Sequence, residues 1–199
     1  VPENNKINSR KLVVSMNITL DGFISGPQCE LDWHFKYWTT EMAGFMEEQL
    51  AGADTILLGR ITYEAMANYW GAKAADLSTP LEDRAFAQMM NSHSKIVFSE
   101  TLQDLPWKNS VKICGNLQLE IVRLKSLQGK NIMVYGSGQL VHALIKQQLV
   151  DEFHLWVHPV VLGTGKPLFK ASGILPQELL QTKVFRSGVV ALIYRCIPA

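Results

Sequence analysis

The apolar run Ile56-Leu57-Leu58 ends in Gly59-Arg60-Ile61-Thr62 and passes directly into helix-forming residues, Tyr63-Glu64-Ala65-Met66. A strand that turns into a helix through a glycine leaves the first backbone N–H groups of the helix unpaired and pointing outward. Those donors, the helix dipole and Arg60 together make an anion site suited to a phosphate. A second junction of the same kind follows at 131–145, where Ile132-Met133-Val134-Tyr135 gives way to Gly136-Ser137-Gly138 and then to helical spacing. Glycines at such places also serve plain helix–sheet packing. Two N–H-rich helix starts in one sheet, however, suit a dinucleotide with its several phosphate groups. Neither junction matches GxGxxG, which disfavours a Rossmann domain of the usual sequence type.

The remaining chain can be ordered around these junctions. Residues 11–18 read as a first strand, and 19–35 as a long connection punctuated by Asp21-Gly22 and Gly26-Pro27. Connections of that length in a compact domain usually serve a site. Helical periodicity covers 39–51, 60–69, 80–90 and 117–127, with a loop at 69–79. Short strands are expected at 55–58, 95–98, 111–114 and 153–161, then a Gly-rich loop at 162–167. A hairpin of 179–186 with 189–197 turns at Ser187-Gly188. Alternating strands and helices followed by antiparallel strands predict one α/β domain over 11–199, with a mixed, mainly parallel sheet flanked by helices. The polar opening 1–10 reads as a frayed arm.

A net charge of +1 argues against electrostatic binding of nucleic acid or a membrane surface. There is no apolar run of the roughly 20 residues that a membrane span needs, and no signal-peptide pattern, so a cytoplasmic protein is expected. Cys29, Cys114 and Cys196 are odd in number and widely spaced, giving neither a disulfide framework nor a metal knuckle. On the strand at 153–158, alternation places His154, Trp156 and His158 on one face. His154 and His158 lie too far apart along it to share a metal, so no metal is expected, and Trp156 and His158 are kept as cleft-lining candidates. The zinc-deaminase signature, the G-x-S-x-G elbow and the P-loop are all absent.

Five segments in order carry a family resemblance: Leu20-Asp21-Gly22-Phe23-Ile24; Leu58-Gly59-Arg60-Ile61-Thr62-Tyr63; Lys95 through Leu102; Tyr135-Gly136-Ser137-Gly138; and Pro159 through Phe169. Over 11–169 the chain resembles the dihydrofolate reductase-like superfamily, particularly the reductase domain of the bifunctional riboflavin-biosynthesis deaminase/reductase and its stand-alone bacterial relatives. The resemblance implies that Gly59, Arg60 and Thr62 bind NADPH phosphates, with Arg60 and Ser99 near the 2′-phosphate. It implies that Gly136, Ser137, Gly138, Gln139 and Leu140 cover the diphosphate. Gly22 and Ile24 would belong to the mobile loop over the nicotinamide, and Asp21 would approach the substrate.

Two positions depart from that pattern. Glu100 brings a negative charge near the implied 2′-phosphate site, which leaves NADH open as the cofactor. Ser137 stands in place of the second glycine of a Gly-Gly pair, so a cis peptide there would be the non-proline bond Gly136–Ser137. On the substrate side, Asp32 is the candidate acid, with a solvated helix-entry residue as its plain alternative. Trp33 would add to an aromatic wall. The expectation is an NADPH-dependent reductase delivering hydride to a C=N bond of a small heterocycle, most like 5-amino-6-(5-phosphoribosylamino)uracil. A dihydrofolate or pterin reductase and a non-catalytic dimeric binder are the alternatives. A homodimer is expected, because the related reductase domains are dimeric and the last quarter is rich in apolar residues.

Overall fold

The computed structural model describes residues 10–73, 81–170 and 173–197; most of the proposed arm and the 74–79 loop fall outside these. An eight-stranded sheet organises the chain. Its strands in sequence are β1 (Leu12–Thr19), β3 (Ala53–Gly59), β4 (Ser94–Phe98), β5 (Ser110–Ile113), β6 (Asn131–Val134), β7 (Glu152–His158), β9 (Gln177–Val184) and β10 (Val190–Cys196). Their spatial order is β5-β4-β3-β6-β1-β7-β10-β9. The six strands from β5 to β7 run parallel, and β10 and β9 close the sheet antiparallel. The mixed, mainly parallel sheet and the C-terminal hairpin agree with the sequence reading.

Helices cover both faces, as buried parallel strands require. Leu117, Ile121 and Leu124 of α5 (Leu117–Ser126) and Leu140, Val141 and Leu144 of α6 (Gly138–Lys146) pack on Leu12, Val14, Ile132 and Val134. On the opposite face, Met42, Phe45 and Leu50 of α2 (Thr40–Ala51) meet Val13, Ile56, Leu58 and Met133. Tyr63 of α3 (Arg60–Lys73) and Phe86 and Met90 of α4 (Leu81–Ser92) complete that layer. The N-cap of α2 is Thr39, whose side chain accepts from the Met42 N–H.

Several local expectations change. Helix α3 continues to Lys73, past the end expected at 69. The connection at 19–35 holds a short strand, β2 (Phe23–Ser25), and one helical turn, α1 (Asp32–Phe35). Strand β2 pairs with β8 (Lys166–Pro167), far away in sequence, so local periodicity carried no sign of it. Arg10, expected in the arm, is buried: its guanidinium donates to Asp54, Thr55 Oγ1 and the carbonyl of Lys130. Strand β9 is an exposed edge, with Leu179 and Val184 open to solvent.

Lys95 is fully buried and donates from Nζ to the carbonyls of Met90, Asn91 and His93 at 2.8–3.0 Å. The Trp107 ring lies 4.7 Å from the ammonium, and burial lowers the Lys95 pKa to about 8. The side chain thus satisfies carbonyls at the C-terminal end of α4 that no backbone donor reaches. Lys95→Met fills the space but leaves the Met90 and His93 carbonyls unpaired, while Asn91 O keeps its bond from Asn109 Nδ2, and is expected to lower unfolding stability by roughly 2–4 kcal/mol in urea titration.

Candidate functional site

The two glycine junctions meet each other. Gly59 N donates to the Gly136 carbonyl at 3.0 Å, joining the end of β3 to the turn after β6. A methyl group at Gly59 would collide with Ser137 Oγ and lie 3.1 Å from Ser137 N. Gly136 adopts φ +114°, which a side chain rarely tolerates, and faces Thr62 Oγ1. The Gly136–Ser137 peptide is cis, at the position expected. Beyond it, Gly138 lies directly under Ile24 from β2. Gly59, Thr62, Gly136, Ser137, Gly138 and Ile24 therefore occupy one place, although up to 114 residues separate them in sequence.

Helix α6 offers donors there. Val141 N is bonded back to Ser137 O, so the N–H groups of Gly138, Gln139 and Leu140 precede the first intrahelical bond. The Leu140 side chain is core, leaving its backbone N–H as the group at the helix start. Arg60 opens α3, pairs with Glu64 at 3.1 Å and stays half-exposed. It lines a groove of about 660 Å³ together with Tyr63, Asn68, Thr101 and Gln103. Ser99 is buried at the end of β4, where its Oγ accepts from the N–H groups of Thr101 and Leu102. Those bonds shape the groove wall and leave the hydroxyl proton for another acceptor. Glu100 is exposed.

The substrate-side candidates divide. Asp21 accepts from Thr19 Oγ1 and from the N–H groups of Leu162 and Gly163, with the Thr19 bond foremost in lowering its pKa. Its carboxylate therefore ties the β1–β2 turn to the loop after β7 while staying exposed. Next to it, Gly22 N donates to Thr19 O, and its carbonyl accepts from Leu168 N. Trp156 is only 1% exposed and stacks on Phe185, donating from Nε1 to Ser15 Oγ at 3.2 Å. It belongs to the core beneath the cleft rather than to its wall, because Phe45 and Phe185 cover it. Asp32 is exposed in the first turn of α1.

Trp33 and His158 do come together, with ring centroids 5.3 Å apart. His34 and Tyr37 close around the same imidazole at 5.8 Å each, and Asn17 Oδ1 lies 2.9 Å from His158 Nε2. Asn17, His34 and Tyr37 were not singled out from sequence. Asn17 is a polar residue inside an apolar strand, and His34 lies in the run Trp33-His34-Phe35-Lys36-Tyr37-Trp38; both were available signals. Among the described residues no group of three His, Cys, Asp or Glu side chains could hold a metal, and no helix is long and apolar enough to cross a membrane.

Comparison with known proteins follows the geometry. The family model described as RibD C-terminal domain matches residues 10–191, and the chain belongs to that family, within the dihydrofolate reductase-like superfamily. It is 34% identical over 191 residues to the uncharacterized protein YyaP of Bacillus subtilis strain 168, covering 96% of this chain and 97% of that one. A structure from Shewanella sp. PV-4, of a protein provisionally named for riboflavin biosynthesis, superimposes with TM-score 0.72 at 21% identity, covering 94% of this chain and 99% of that one. Dihydrofolate reductase from Enterococcus faecalis, solved in complex with NADP(H) and RAB-propyl, superimposes with TM-score 0.61 at 15% identity, over 94% of this chain and 96% of that one. At these identities the two structures establish the shared fold.

Two measurements probe the site's construction. Gly59→Ala is expected to lower stability by roughly 1–3 kcal/mol through overpacking, with partial recovery in Gly59→Ala/Ser137→Gly, read from urea midpoints. Burial, then the nearby His34, lowers the His158 pKa from 6.5 to about 4. The unfolded chain then takes up a proton between pH 6.5 and 4 that the folded chain refuses. Stability is therefore expected to fall across that window as pH drops, by up to about 3 kcal/mol, and His158→Gln should flatten the decline.

Proposed function

We propose that the protein is an NADPH-dependent reductase transferring hydride to a C=N bond of a small heterocycle, most like the reduction of 5-amino-6-(5-phosphoribosylamino)uracil. The observation behind this reading is the contact between the Gly59-Arg60 and Gly136-Ser137-Gly138 junctions, which puts the free N–H groups of α6 beside the start of α3. Such a surface fits a diphosphate, because donors surround it and added side chains would fill it. When bound, NADPH supplies the hydride.

In this reading Gly138, Gln139 and Leu140 hold the diphosphate through backbone N–H groups. Arg60 turns from Glu64 towards the 2′-phosphate, and Ser99 donates its remaining proton to the same group. Ile24, lying over Gly138, covers the reacting end and keeps water away from it. Asp21 acts indirectly by fixing the turn that presents Gly22 and Ile24. The expected homodimer would use the β9 edge, where Leu179 and Val184 are exposed.

Cofactor binding is measured by NADPH and NADH fluorescence titration. Arg60→Ala is expected to weaken NADPH about tenfold or more while changing NADH little, since only NADPH carries the phosphate that Arg60 pairs with. Equal losses for both cofactors would remove Arg60 from that role. NADPH oxidation with pyrimidine and pterin substrates separates a working reductase from a binder without turnover.

A further inference from the structure

Strands β2 and β8 form a small flap beside the cleft, paired through Phe23 with Pro167 and Ser25 with Lys166. Ile24 of this flap lies over Gly138 at the start of α6, and the Pro167 carbonyl lies 2.9 Å from His142 Nε2 on the same helix. Past β2 the chain folds back at once. Cys29 N donates to the Gly26 carbonyl at 3.2 Å, and Gly26 N donates to the Glu30 carbonyl at 3.0 Å. Cys29 itself has φ +73°, in the left-handed region that few non-glycine residues occupy. The turn brings its sulfur back onto β8, where Lys166 Nζ donates to Cys29 Sγ at 2.6 Å.

A thiol and an amine, 137 residues apart in sequence, are thus in direct contact at a place that the cofactor reading leaves unused. Both side chains are exposed, so a small oxidant in the solvent reaches the sulfur. The adjacent acid, Glu30, turns its carboxylate to Gln28 N at 2.8 Å, and the sulfur is left as the partner of Lys166. Cys114 is also exposed, but its sulfur has no hydrogen-bond partner among the described residues. All three cysteines are free thiols. An oxidised Cys29 therefore has an amine, and not a second thiol, in contact with it.

We propose that Cys29 and Lys166 form a peroxide-responsive modification site, at which the sulfur is oxidised and then captured by the lysine amine as a covalent S–N link. The oxidant is hydrogen peroxide. The Cys29 thiolate attacks one peroxide oxygen and the O–O bond breaks. Two electrons pass from sulfur to the peroxide, and the departing hydroxide takes up a proton to become water. Lys166, having released one proton to solvent, then attacks the sulfenic sulfur. An S–N bond forms as the S–O bond breaks, and the hydroxyl leaves as water with a second proton from the nitrogen. Two reducing thiols reverse the link, returning the thiol and the amine and leaving as a disulfide. The link ties the connection after β2 to β8 and braces the flap whose Ile24 covers Gly138. It does not depend on which reaction the cleft performs.

The test treats the full, reduced chain with hydrogen peroxide in mildly alkaline buffer and reads peptide masses. The expected product is a cross-linked pair joining Cys29 to Lys166, lighter than the sum of its parts by two hydrogen atoms, which dithiothreitol separates again. Lys166→Arg keeps the positive charge without the amine; it should abolish the link and leave on Cys29 a sulfenic acid that dimedone traps. Cys29→Ser should abolish both the link and the dimedone adduct at that position. Both side chains are exposed, so neither substitution should disturb folding. In the linked protein, amide exchange across Phe23–Ser25 is expected to slow by about threefold or more. No reaction at Cys29, its oxidation without a bond to Lys166, a bridge that retains oxygen, or a link that survives Lys166→Arg would overturn the proposal. Amide exchange unchanged by the link would overturn the bracing of the flap.

Discussion

One backbone hydrogen bond, from Gly59 N to Gly136 O, joins the two halves of the candidate cofactor site. It requires two strand ends to approach more closely than side chains would permit. That is why glycine stands at 59, where a methyl would strike Ser137, and at 136, where the backbone has positive φ. The approach in turn sets the start of α6 against the start of α3, so that two sets of unpaired N–H groups share one cleft. Ile24 can cover Gly138 only because no side chain grows from that position. The groove at Arg60 and the donors of α6 are consequences of the same contact.

Much of this was legible in the sequence, for definite physical reasons. Strand-to-helix changes show as a change of period at a glycine, and Gly59 and Gly136 mark both. The hairpin turn at Ser187-Gly188 is equally local. What escaped depends on partners distant along the chain. Phe23 and Ser25 become a strand because Pro167 and Lys166 come to pair with them. Arg10 is buried because Asp54 and Lys130 meet it there.

The substrate side illustrates the same limit. Alternation correctly placed Trp156 and His158 on one face, but it does not tell which of two neighbours is covered. Phe45 and Phe185 close over Trp156, and α1 brings Trp33 and His34 to His158. Asp21, expected on the substrate side, also has a structural part that its sequence neighbours did not announce, since its carboxylate accepts from backbone N–H groups of a loop some 140 residues away.

The position of β6 bears on how the molecule is assembled. Strands β1 and β3 never pair with each other; β6 stands between them and bonds to both. A ribosome that has released only the first 130 residues has therefore delivered β1 and β3 with an open slot between them. Neither strand has its permanent neighbour on that side, and both expose apolar edges until β6 emerges. The strand that fills the slot also brings the second glycine junction, so the joining of β1 to β3 and the meeting of the two junctions are one event in the life of the nascent chain.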